Sequence, residues 1–179
     1  LILDLRGNPG GLVSEVIGVA SQMMDEGLTI FQEQGRDGVA HDLQTIGFDG
    51  PGRDMALVVL IDGQSASGAE VLAAGLRDNG RARLVGETTF GTGTVLATYA
   101  QDDGSNVILG TAFWLTPMGE HVWQEGVDPD EFVMLESNEF PARPEDDPDM
   151  TQEELAASSD VQLQAAFAAL NEDGTTATQ

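Results

Sequence analysis

Cysteine and lysine are both absent from the 179 residues; all seven basic side chains are Arg. Without cysteine there is no thiol nucleophile, thiolate zinc site, iron-sulfur cluster or disulfide framework, and the redox compartment stays open. Without lysine there is no Schiff-base chemistry and no Ser/Lys dyad within this chain. Positive charge is scarce altogether: 31 Asp and Glu face the seven Arg, leaving a net charge of -24 and a pI near 4.1. Such a surface repels phosphate backbones and anionic headgroups, so no nucleic-acid partner is expected. A membrane anchor is expected only from sequence upstream. No cofactor and no metal are expected either, since the acid runs at 102–103 and 146–149 lack the ligand spacing of a calcium loop. The length suits one domain, able to bury about 70% of the surface of its unfolded chain. It begins without Met, directly in the apolar run Leu1-Ile2-Leu3-Asp4-Leu5, and we expect a fragment of a longer protein.

What is present reads as alternating strands and helices, hence an α/β architecture. The opening strand runs into the turn Arg6-Gly7-Asn8-Pro9-Gly10-Gly11. Helical spacing of Leu12, Val16, Val19, Ala20 and Met23 predicts a helix over 12–26. Two strands follow, at 28–32 and 39–46, joined around Arg36-Asp37-Gly38. The run Ala56-Leu57-Val58-Val59-Leu60-Ile61 shows no polar alternation, as expected of a strand covered on both faces. A helix over 65–79 ends on the C-cap signal Asn79-Gly80, and strands are predicted at 82–85, 95–99 and 107–115. Beyond residue 124 the chain turns acidic, with 15 Asp and Glu against one Arg. The expected organisation is a core over 1–135, an acidic Pro-rich linker over 136–150, a helix over 151–171 opened by the capping box Thr151-x-x-Glu154, and a disordered tail over 172–179.

Two strand-to-helix turns carry the chemistry. The glycine turn ending in Gly10-Gly11 presents unobstructed backbone N–H groups that can cradle a developing oxyanion. The turn Gly63-Gln64-Ser65-Ala66-Ser67-Gly68-Ala69-Glu70 can lift a Ser hydroxyl to the end of a sheet beside a helix N-terminus. Ser67-x-x-Glu70 is equally a good capping box, which needs no catalysis to explain it. Trp114 and Trp123 flank a predicted hairpin, where core or edge packing is expected of them.

These two segments resemble the carboxyl-terminal processing (tail-specific) peptidase family, together with residues 80–95, Trp114-Leu115-Thr116-Pro117-Met118-Gly119, Gly126-Val127-Asp128-Pro129-Asp130 and residues 160–166. The resemblance implies a crotonase-like (ClpP/crotonase type) core with a mixed β-sheet and flanking helices. It implies serine-type peptide hydrolysis near protein C-termini, so protein or peptide C-termini as partners, and an extracytoplasmic setting. Members usually carry a PDZ domain before this core. By the same resemblance Ser67 is the nucleophile, and the oxyanion donors are the N–H of Gly68 and one from Gly10-Gly11.

The pattern breaks where the base belongs. The family reads Phe-Gly-Lys-Gly-(Ser or Thr)-Val-Gln, whereas this chain reads Phe90-Gly91-Thr92-Gly93-Thr94-Val95-Leu96. Thr92 stands in place of the Lys base, and Leu96 in place of the Gln that positions it. A Thr hydroxyl has no useful basicity near neutral pH. Substitutes within the chain are His121, His41 and Glu70, and a base supplied from upstream sequence is a further alternative. The reading therefore divides between a peptidase with non-standard activation and an inactive pseudopeptidase that binds peptides or serves assembly.

Overall fold

The computed structural model describes residues 1–48, 50–136, 141–142, 149 and 151–176. Its elements in chain order are β1 (Ile2–Asp4), α1 (Val13–Met23), β2 (Thr29–Gln34), β3 (Ala40–Gln44), β4 (Val58–Ile61), α2 (Gly68–Asp78), β5 (Arg83–Gly86), β6 (Thr94–Ala100), β7 (Asn106–Leu115), β8 (Glu131–Phe132), α3 (Gln152–Ala156) and α4 (Val161–Thr176). The class is α/β, but the expected single mixed sheet does not form. Two four-stranded sheets are present instead: an all-parallel one ordered β1-β4-β5-β8 and an all-antiparallel one ordered β3-β2-β7-β6. Connection length explains the segregation. The short turns at 35–39 and 101–105 can only fold back as hairpins, whereas β4 reaches β5 through α2, a crossover that makes neighbours parallel.

Strand β4 has no accessible surface, and its residues alternate between two cores. Val59 and Ile61 join the larger cluster with Val16 and Ala20 of α1, Ala73 and Leu76 of α2, and Phe31 of β2. Val58 and Leu60 face the other way, onto Leu163, Ala166 and Ala169 of α4. This double cover is why the run carries no polar alternation. Helix α2 packs against both β5 and β2. It approaches β2 so closely at Gly75 that a Cβ there would lie 2.7 Å from the Ile30 carbonyl oxygen.

The helix expected over 151–171 is broken into α3 and α4. Thr151 and Glu154 form the expected capping box at α3. The break falls at Ser158-Ser159-Asp160, residue types whose side chains compete for backbone groups and favour caps. Asp160 Oδ1 accepts from Leu163 N at 3.0 Å and so caps α4, which continues through 172–176, where a tail was expected. Most of the expected linker, and residues 177–179, lie outside the described residues. Among those described, no helix is long and apolar enough to cross a membrane.

Candidate active site

The glycine turn after β1 and the serine turn after β4 lie side by side because their strands are parallel neighbours. Asp62 and Ser65 stitch them together. Asp62 Oδ1 accepts from Gly7 N, Gln64 N and Ser65 N, each at 2.9 Å, and Ser65 Oγ donates to the Leu5 carbonyl at 2.8 Å. Asn8 both bridges the two turns and braces its own: its carbonyl accepts from Ala66 N at 2.9 Å and its Oδ1 from Gly10 N at 2.8 Å. The approach beyond this point is tight at both glycines and leaves no room for a side chain at Gly10. At Gly10, with φ +95°, a Cβ would fall 2.6 Å from Gly68 N and 2.8 Å from Ser67 Cβ. On Gly68 it would fall 3.1 Å from Gly11 N. The two turns expected to supply an oxyanion site thus share one space.

Ser67 sits at the head of α2 with φ 53° and ψ -118°, one of two non-glycine residues with positive φ among those described. Such a conformation costs about 1–3 kcal/mol and persists only where its surroundings enforce it. A strained Ser between a strand and a helix N-terminus is the arrangement that exposes a hydroxyl to a substrate. Beside it lies a small apolar pocket walled by Val13, Val16, Phe31, Val71 and Trp114, with Gly11, Ser67 and Gly68 at its rim. Trp114 meets Phe31 edge to face at 4.8 Å between ring centres, and its buried Nε1 has no hydrogen-bond partner among the described groups.

Glu70, one helical turn on, is fully buried. Its Oε2 accepts from Ser67 N at 2.7 Å and Thr92 N at 3.0 Å; its Oε1 accepts from Thr89 Oγ1 and Gly91 N, both at 2.6 Å. One arm of the expected capping box is therefore made. The reciprocal approach of Glu70 N to the Ser67 side chain is present in outline but falls short of a cap hydrogen bond. A carboxylate offers about four lone-pair positions, and neutral donors occupy all four here.

Thr92 is half-buried, and its backbone is brought to the Ser67 turn by that shared oxygen. Leu96 lies on β6 at a bulge against β7, with 61% of its surface exposed. The histidines lie elsewhere. His41 is exposed on the edge strand β3 opposite Glu33. His121 pairs with Leu115, stacks edge-on against Phe113 at 5.6 Å and lines a separate polar cleft of about 430 Å³ with Arg77, Glu120, Glu125 and Asp128. Neither lines the pocket at Ser67.

Sequence reading did not anticipate the role of Arg6. Its guanidinium is fully buried between Asp4 at 2.7 Å and Asp160 at 2.8 Å, and it donates to Gln162 Oε1 at 3.1 Å. Burial alone would lower its pKa, but hydrogen bonds and charge from Asp4 and Asp160 outweigh this and hold it above the ordinary Arg value. The signal was an Arg directly behind the apolar run 1–5 in a chain with so few cations. The glycine turn is thereby anchored to the start of α4.

Residues 1–133 match peptidase family S41. The chain is 35% identical over 172 residues to a carboxyl-terminal-processing protease of Picosynechococcus sp., covering 96% of this chain and 38% of that one. It therefore spans well under half of that relative. Among solved structures it is similar to the photosystem II D1 C-terminal processing protease, with TM-score 0.69 and 34% identity over 75% of this chain and 34% of the other. A putative peptidase from Parabacteroides merdae shares the fold at TM-score 0.70 and 20% identity, covering 95% of this chain and 51% of that one. These likenesses correct the expected fold type: it is that of S41 carboxyl-terminal-processing proteases, not a crotonase/ClpP-type core.

Proposed function

Because the chain belongs to peptidase family S41, in its carboxyl-terminal-processing group, we propose that it is a serine-peptidase core that receives protein or peptide C-terminal segments at Ser67. The observation that carries this reading is the strained Ser67 at the head of α2, packed against Gly10-Gly11 beside an apolar pocket. In the proposed reaction Ser67 Oγ attacks the scissile carbonyl carbon while its proton passes to a base. The carbonyl oxygen, now an oxyanion, accepts from Gly68 N and from the Gly10-Gly11 turn. The C–N bond breaks as the amine takes a proton, leaving an acyl-Ser67 ester that water hydrolyses. The side chain preceding the cleaved bond occupies the apolar pocket, which selects small uncharged groups. An extracytoplasmic setting is proposed from the family resemblance.

A second reading is favoured by Thr92 and Leu96, and by the four donors that fill Glu70. Glu70 has its lone pairs engaged and neither His41 nor His121 lines the pocket at Ser67, so in this reading the cleft binds peptide without cutting it. Loss of a base costs about 10⁴–10⁶ in rate and leaves about 10³ from the oxyanion site and binding.

A fluorophosphonate probe on the full-length protein separates the two. Labelling of wild type and not of Ser67→Ala supports the peptidase, and no Ser67-dependent labelling or cleavage supports the binding module. The double variant Thr92→Lys/Leu96→Gln is expected to gain peptidase activity. If it stays inert, the cleft has lost more than its base.

A further inference from the structure

Glu70 holds more than the first turn of α2. Its four donors come from two separate pieces of chain: Ser67 N from the serine turn, and Thr89 Oγ1, Gly91 N and Thr92 N from the loop between β5 and β6. A buried carboxyl group is costly unless its oxygens are hydrogen-bonded, and here each bond is made to a group that must be fixed for the bond to persist. The loop is fastened to the serine turn once more by Phe90 N, which donates to the Ser65 carbonyl at 3.0 Å. Thr89 extends the network outward: its Oγ1 accepts from Val127 N at 2.8 Å while donating to Glu70. Capping α2 requires only one of these contacts.

We propose that Glu70 is the positioning residue of this site, a single buried acceptor that sets the Ser67 turn against the loop carrying position 92. The proposal rests on the reading of Ser67 as the reacting serine only for its consequence in catalysis. Both backbone nitrogens, Ser67 N and Thr92 N, bond to the same Oε2, so they lie no further apart than two hydrogen bonds laid end to end. A side chain at position 92 is thus launched beside Ser67 whatever its chemistry. Glu70 itself, with its lone pairs engaged, does not take the Ser67 proton.

Amide hydrogen exchange on the full-length protein tests the clamp without relying on activity. Glu70→Gln keeps the volume but turns an NH₂ toward one pair of donors. Exchange at two or more of Ser67, Gly91 and Thr92 should rise at least about tenfold, while amides of β4 and α4 stay within about threefold. Unchanged protection at all three, or a uniform rise that includes β4, overturns the proposal. If Glu70→Gln does not fold, Thr89→Val decides: Gly91 should exchange at least about threefold faster with β4 unchanged, and no change at Gly91 overturns the proposal. The catalytic arm uses the Thr92→Lys/Leu96→Gln background. There Glu70→Gln should lower kcat about 100-fold and leave KM within about threefold, as for reacting groups displaced by an ångström. A loss confined to KM overturns the positioning role. Intact amide protection without Ser67-dependent chemistry sinks the peptidase reading and leaves the clamp standing; lost clamp behaviour with Ser67 labelling does the reverse.

Discussion

Arg6 and Asp160 are 154 residues apart in the chain and 2.8 Å apart in the structure, and both side chains are fully buried. The pair joins the turn that leads to Gly10-Gly11 to the first residues of α4, with Asp4 and Gln162 completing the ring of acceptors around the guanidinium. Asp160 also accepts from Leu163 N and Ala142 N, so one carboxylate fixes a cation, a helix start and a passing backbone.

Removing that carboxylate leaves a buried guanidinium with half its compensation. Asp160→Ala is expected to cost about 3–5 kcal/mol, measured by urea unfolding. The same variant should weaken Ser67 labelling, because the glycine turn loses its anchor. A loss below about 1 kcal/mol would show that Asp4 and Gln162 suffice to hold Arg6.

Gly10 has no room for a methyl group. Gly10→Ala should cost about 1–3 kcal/mol from backbone strain alone and reduce Ser67 labelling by at least about 100-fold, since the added Cβ drives into Gly68 N. Gly18→Ala is the control. A Cβ there meets nothing within 4 Å, so this variant should be neutral or stabilised by about 0.5–1 kcal/mol with labelling unchanged. Equal behaviour of the two variants would contradict the shared-space geometry of the two turns.

The histidines make a separable prediction. His41→Ala and His121→Ala should each leave Ser67-dependent labelling within about twofold of wild type, because neither ring lines the pocket at Ser67. A drop of about 100-fold in either would identify that imidazole as the base.

Much of this was legible in the chain. The unbroken run 56–61 announced a strand covered on both faces, and β4 is that strand because its side chains alternate between two cores. The serine turn, the glycine turn and the helix between β4 and β5 were visible from small residues and caps. Their meeting was implied only by the family resemblance and not by the residues themselves, because the parallel pairing of β1 with β4 that aligns them is a tertiary fact. The break before α4 had its signal in Ser158-Ser159-Asp160, but apolar spacing continued across it and suggested one helix. Arg6 with Asp160 illustrates the general limit: nothing local links two residues whose partnership depends on how α4 docks. Glu70 was half legible. Its capping role follows from Ser67-x-x-Glu70, whereas its remaining partners are mostly main-chain N–H groups, which carry no residue identity to read.

That last property has an evolutionary consequence. Because position 92 is tied to Glu70 through its backbone, the side chain there can be exchanged without loosening the tie. A lineage could therefore lose the base by drift while its cleft kept shape. Recovery of chemistry would then depend on a few codons, those of positions 92 and 96 among them, rather than on rebuilding a fold.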